Sequence, residues 1–295
     1  MDKRTVPEKI FMVFNMAFLT LLCVTMLYPL WNSVAKSFSR NDLVMGGHVF
    51  LWPKGFNVKS YEALLNESLL WTSFRNTVFV VVIGTLLRMV VILMASFGLS
   101  KRDLMGRKII LNFFIFTMYF SGGMIPGFLL MRYLGIYDTL WALILPGTVI
   151  VFYMILAKNF FEQIDPALEE SAMMDGANYF TIFARIILPV SKSIIGVLFI
   201  FTIVGLWNIF MPAVLYTISP KVSVLQLYIR QIVLEGMDDK YNMNVTEFIS
   251  EEMLIMGAHT KRMALLAVTS IPIILIYPFF QKYFTKGVMV GSVKG

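Results

Sequence analysis

Six long apolar stretches alternate with shorter polar segments along the chain, at about residues 10–30, 72–99, 109–131, 139–158, 193–217 and 263–284. A helix needs about 20 residues to cross the hydrocarbon core of a bilayer, so the pattern predicts six transmembrane helices and an all-α integral membrane fold. It divides the chain into an N-terminal segment (1–9), a membrane domain (10–285) and a short tail (286–295). No small-residue cleavage site follows the first stretch, which reads as an uncleaved span.

The polar segments give the orientation. Lys3, Arg4 and Lys9 precede the first span, and Lys101, Arg102, Arg107 and Lys108 crowd into residues 101–108. Short loops rich in Lys and Arg stay in the cytoplasm, which puts both termini on the cytoplasmic side. Residues 39–70 form a mixed loop with Trp52-Pro53-Lys54-Gly55, and a longer polar loop covers 218–262. The third span is broken by Gly122, Gly123, Pro126 and Gly127, and the fifth holds Trp207, Asn208 and Pro212. Gly/Pro breaks at membrane depth are tolerated only against protein or a watery cavity.

One polar island lies between the fourth and fifth spans, at about 159–192. Asp165 is placed to cap a short helix that has Pro166 in its first position and Glu169 and Glu170 near its positive end. Asn178 is placed to cap a second, along which Phe180, Phe183, Ala184 and Ile187 share a face. Gly176 joins the two, and Pro189 is expected to end the second by disfavouring helix at the residue before it. The prediction is a stiff two-helix elbow with an oily face and an acidic edge.

Composition narrows the chemistry. The chain is 58% hydrophobic and 15% charged, with a mean hydropathy of +0.75; a soluble domain carries about 25% charged residues. The net charge of +7 suits membrane orientation, and no polar segment interleaves basic with aromatic residues as a nucleic-acid surface would. Cys23 is the single cysteine, and His48 and His259 are the two histidines, so neither a disulfide framework nor a His/Cys metal cluster is expected. No Gly-Lys dipeptide occurs, hence no phosphate-cradling loop of the Walker A kind.

The run Glu170-Ser171-Ala172-Met173-Met174-Asp175-Gly176-Ala177, closed by Ile186-Ile187-Leu188-Pro189, resembles the EAA motif of ABC importer permeases, with Ser171 where alanine is usual. Leu99-Ser100-Lys101-Arg102 with Gly106-Arg107-Lys108 is similar to those permeases' second cytoplasmic loop. Ser121-Gly122-Gly123-Met124-Ile125-Pro126, Leu140-Trp141-Ala142-Leu143-Ile144-Leu145-Pro146 and Trp207-Asn208 resemble the carbohydrate branch. Lys286 to Gly295 is similar to the tail of its maltose-type "G" subunits.

The resemblance spans nearly the whole chain. It implies a type I ABC importer fold in the bacterial cytoplasmic (inner) membrane and import of an oligo- or polysaccharide by alternating access. The implied partners are a sister permease, two cytoplasmic ATPase subunits and an extracytoplasmic solute-binding protein. No cofactor is expected in this chain, since ATP and magnesium would be bound by the ATPases. The implied coupling residues are Glu169, Glu170, Ala172, Asp175, Gly176, Ala177, Phe180, Ile186, Leu188 and Pro189. Gly291, Ser292, Val293 and Lys294 would contact the ATPases, against the alternative of a frayed terminus.

Other positions stay two-sided. Arg88, in mid-span, either lines the substrate path or pairs with an acid or carbonyl of the sister subunit. Trp207 and Asn208 suit stacking on and hydrogen bonding to a sugar, or simple helix packing. The Gly122, Gly123 and Pro126 break shapes a gate or packs against the sister permease. Two other classes compete. A membrane transferase needs clustered His, Asp or Glu, and an ion-coupled transporter places acids inside its spans, whereas the six spans contain none.

Overall fold

The computed structural model describes residues 5–242 and 257–292, and among them every regular element is helical. Three helices are long and apolar enough to cross a membrane: α1 (Val6–Ser37), α4 (Ser68–Ser100) and the apolar part of α15 (Ala258–Ser292). Two bent pairs raise the number to five if each counts as one span. The first is α5 (Arg107–Tyr119) with α6 (Met124–Tyr133), bent by 111° at the expected Gly122–Gly123 break, where Gly123 has φ +85°. The second joins the elbow's second helix, Tyr179–Val190, to α12 (Lys192–Trp207) at 84°. The stretch at 139–158 is two short helices, α7 (Trp141–Ile144) and α8 (Val151–Phe161). Pro146 lacks the N–H that a helix would need there, which ends α7.

The chain forms two compact units. One gathers the described parts of Met1–Ser68 and Ile229–Ile271. In it α1 opens on a capping box, Glu8 accepting the Thr5 N–H at 2.8 Å. Every residue from Thr5 to Trp31 is exposed, and an apolar helix with no buried face needs lipid or another subunit around it. The loop that carries α2 (Asn41–Met45) returns to the end of α1, with Trp31 Nε1 donating to Leu51 O at 2.7 Å. Phe38 stacks on Phe56 and on Tyr61 of α3 (Lys59–Leu65), and Ser60 Oγ donates to Thr260 at 3.0 Å.

The other unit gathers Leu69–Tyr228 with the described part of Pro272–Gly295. Its core is Met89, Ile92, Leu93 and Phe97 of α4 against Met154, Ala157 and Phe161 of α8 and Leu198 of α12. Ser96 Oγ ties α4 to α8 through Met154 O at 2.9 Å. The broken stretches pack segment by segment: α8 meets α5 and α12, while α13 (Met211–Tyr216) meets α6 and α7. A Cβ at Gly127 would come within 3.0 Å of the Tyr216 hydroxyl, so glycine there lets α6 and α13 approach closely.

Candidate functional site

The polar island forms the expected elbow. In α9 (Pro166–Met174), Asp165 Oδ1 caps by accepting the Ala167 N–H at 3.0 Å. The exit is a Schellman turn: the Ala177 N–H donates to Ala172 O (2.9 Å) and the Gly176 N–H to Met173 O (3.0 Å). Gly176 takes φ +83°, a left-handed conformation that costs glycine nothing and other residues about 1–2 kcal/mol. Asn178 Oδ1 then accepts the Thr181 N–H at 2.8 Å, starting α10 (Tyr179–Ile182).

Three expectations change here. Pro189 does not end the helix. Phe183–Ile187 widens into a π turn that absorbs the missing Pro189 donor, Leu188 keeps φ −61° and ψ −45°, and the helix runs through α11 (Leu188–Val190) to Ser191. The oily face splits in two. Ile182, Phe183 and Ile187 are buried in the unit's own core beside Ala172, with Ala177, Ile186 and Leu188 half-buried around them. Phe180 is 70% exposed and Met174 90% exposed, with Tyr179 and Met173 also outward. The acidic edge is partly used within the chain: Glu169 pairs with Lys101, while Glu170 and Asp175 stay exposed.

That pair belongs to a clamp on the C-terminal end of α4. Lys101 Nζ lies 4.2 Å from the Phe97 ring centroid, and Phe97 meets Phe183 at 5.1 Å, so both elbow helices hold one end of α4. Arg107 bridges Leu99 O (2.8 Å) to Glu162, which also takes Lys158 at 2.9 Å. No sequence pattern groups Lys101, Arg107, Glu162, Phe97 and Phe183, because the contacts across the clamp join positions distant in the chain. The one hint in the sequence is that the basic run at 101–108 and the acidic island at 159–192 carry opposite charge.

Elsewhere in the same unit, Asp138 (φ +58°) joins the loop before α7 to the loop after α13. It accepts the N–H groups of Ile218 (2.8 Å) and Ser219 (2.9 Å) and the Ser219 hydroxyl. The Ser219 hydroxyl, then those backbone N–H groups, hold its carboxyl below the usual range.

The pathway candidates are scattered. Trp207 is 5% exposed and meets Phe74 in a T-shaped contact at 6.3 Å, so its ring is buried by packing. Asn208 closes α12 by donating to Val204 O at 2.9 Å, and accepts from Gln226 at 3.3 Å. Gly122, Gly123 and Pro126 lie exposed at the α5–α6 bend, away from the core. Arg88 is buried on α4, 7% exposed, against the α7–α8 break. Gly291 and Ser292 end α15; Val293 and Lys294 lie outside the described residues. Among the described residues no three His, Cys, Asp or Glu side chains gather as a metal site would require.

Known proteins supply the decisive comparison. Residues 76–290 match the family described as the binding-protein-dependent transport system inner membrane component. The chain belongs to this family. It is 37% identical over 294 residues to the polygalacturonan/rhamnogalacturonan transport system permease protein YtcP of Bacillus subtilis (strain 168), covering 98% of this chain and 99% of the relative. Identity to protein LplC of the same strain is 34% over 291 residues, covering 99% and 97%. The fold matches a chain in the crystal structure of a bacterial ABC transporter involved in the import of the acidic polysaccharide alginate, with a TM-score of 0.86, 30% identity and coverage of 96% and 100%. Family members are permease components of the inner membrane, and the transmembrane reading of the helices rests on that membership.

Proposed function

We propose that this permease carries a carbohydrate by alternating access, that its elbow docks on a separate ATPase, and that the elbow and both termini face the cytoplasm. The single observation behind the coupling role is the clamp: two capped helices, joined rigidly at Gly176, grip the end of α4 while presenting Met173, Met174, Tyr179 and Phe180 outward. An inward-anchored lever with an exposed apolar tip is the arrangement that docking and force transmission need. Glu170 and Asp175 flank that tip as charged contacts. ATP and magnesium belong to the ATPases, a sister permease completes the pathway, and a solute-binding protein delivers the sugar. The relatives' names support the carbohydrate reading, since they refer to galacturonan, rhamnogalacturonan and alginate transport.

The test is purification from membranes followed by sugar-driven ATPase assays. The full chain should co-purify with an ATPase and a second permease at matching stoichiometry, and its binding protein loaded with an oligosaccharide should stimulate hydrolysis. Phe180→Asp should break the ATPase contact while leaving the permease inserted. Retained ATPase and retained stimulation in that variant would sink the docking role.

A further inference from the structure

Several buried hydroxyl side chains in this chain's helices bond their own backbone. Thr77, Ser96, Thr202 and Thr269 each donate to the carbonyl four residues back, at 2.6 to 2.9 Å. Thr85 does not. Its hydroxyl is buried, the residue being 2% exposed, and has no hydrogen-bond partner. One turn further along the same face of α4, Arg88 is more than nine-tenths buried and its Nε is likewise unpartnered. Two orphaned polar groups on adjacent turns, one of them a charge, are costly in a membrane helix.

Their surroundings are specific. The Arg88 guanidinium lies against Gly147 so closely that any side chain there would collide with it. Gly147 follows Pro146 in the α7–α8 break, and the ionisable neighbour acting on Arg88 is the Tyr153 phenol in the first turn of α8. Among the described residues no carboxylate pairs with Arg88. The acids of this unit's cytoplasmic end, Glu162 and Glu169, are committed to Arg107, Lys158 and Lys101.

We propose that Thr85 and Arg88, set against the Pro146–Gly147 break, form a site for a sugar carboxylate, so that the cargo is an oligosaccharide containing uronic acid. This deepens the carbohydrate reading above and rests on it. A planar guanidinium matches a carboxylate with two parallel N–H donors, and the Thr85 hydroxyl adds a third. Gly147 leaves the room. The site is closed in this conformation, so it is loaded in another state of the transport cycle. A bound carboxylate then neutralises Arg88 when the walls close, which favours closure with cargo over closure without it.

The experiment uses the whole transporter in proteoliposomes with its binding protein, and compares uptake of trigalacturonate, its methyl-esterified form and neutral maltotriose. Any preference of the binding protein is common to all variants and cancels when acid-to-ester ratios are compared. Arg88→Gln should lower the acid-to-ester ratio at least tenfold relative to the unmodified transporter, Arg88→Lys by less, and Thr85→Val by two- to fivefold. A ratio unchanged in Arg88→Gln, with both rates falling together, would assign Arg88 to a structural pair with the sister subunit and overturn the proposal. Uptake of maltotriose or ester but not of the acid by the unmodified transporter would overturn it too, while sparing the carbohydrate reading. Uptake of none of the three would remove both.

Discussion

Lys101 holds two partners with one ammonium group, the Phe97 ring on the α4 helix it follows and the Glu169 carboxylate on the elbow. Both ends of the ion pair are about four-fifths buried. A partly exposed pair contributes about 1 kcal/mol, and a cation over an aromatic face adds about 0.5–1 kcal/mol. These are small amounts for stability, but the contact spans the joint through which the elbow would move α4. Lys101→Glu should therefore leave insertion intact and lower ATP-driven uptake several-fold. The exchanged pair Lys101→Glu with Glu169→Lys should recover most of it, as transport assays on the two singles and the double would reveal. The sequence showed Glu169 only as an acid near a helix start. Its partner lies 68 positions away, a pairing that periodicity does not encode. Arg88 was legible as a mid-span charge. Its unpartnered neighbour Thr85 was not, because a threonine in a helix ordinarily bonds its own backbone.

The elbow was the most legible element. Asp165, Asn178 and Gly176 act locally, each within three or five residues of the backbone group it satisfies, so their types and spacing were enough. Pro189 does not end its helix because a proline's effect depends on the turn before it, and the π turn over Phe183–Ile187 takes up the missing donor while Phe183 and Ile187 stay buried. Likewise a helical stripe says which residues lie together, not whether they turn toward the chain's own core or away from it. Gly176 gives the element-scale prediction. Gly176→Val places a β-branched side chain at φ +83° and should cut uptake tenfold or more, while Gly176→Asn, which tolerates that region, should lose far less. Comparable uptake by the two variants would show that the left-handed joint is not what the elbow depends on.

For the whole molecule, the six apolar stretches told the class of fold, whereas the breaks inside them came out only in part. The Gly122–Gly123 bend was readable; the interruption at Pro146–Gly147 was hidden in a run that stays apolar throughout. Orientation is open to direct measurement. With Cys23 replaced by Ser, a cysteine at exposed Lys54 should react with an impermeant maleimide on intact cells, and one at exposed Asp103 only after lysis. The reverse pattern would invert the proposed topology.

The segment-by-segment packing of the broken spans has a mechanical consequence. Helices α5, α8 and α12 touch one another's layer, and α6, α7 and α13 form another, joined through short non-helical links. Helical hydrogen bonds transmit a push along their own axis, and here those bonds stop at the links. A load applied at the elbow is taken up first by the layer beside it, and a load applied near Asp138 by the layer that residue staples. Helix α4 runs unbroken beside both groups, packing on α8 and α12 and meeting α7 through Phe79 and Trp141. It is therefore the element that carries a load from one to the other, with Arg88 on it against the α7–α8 break.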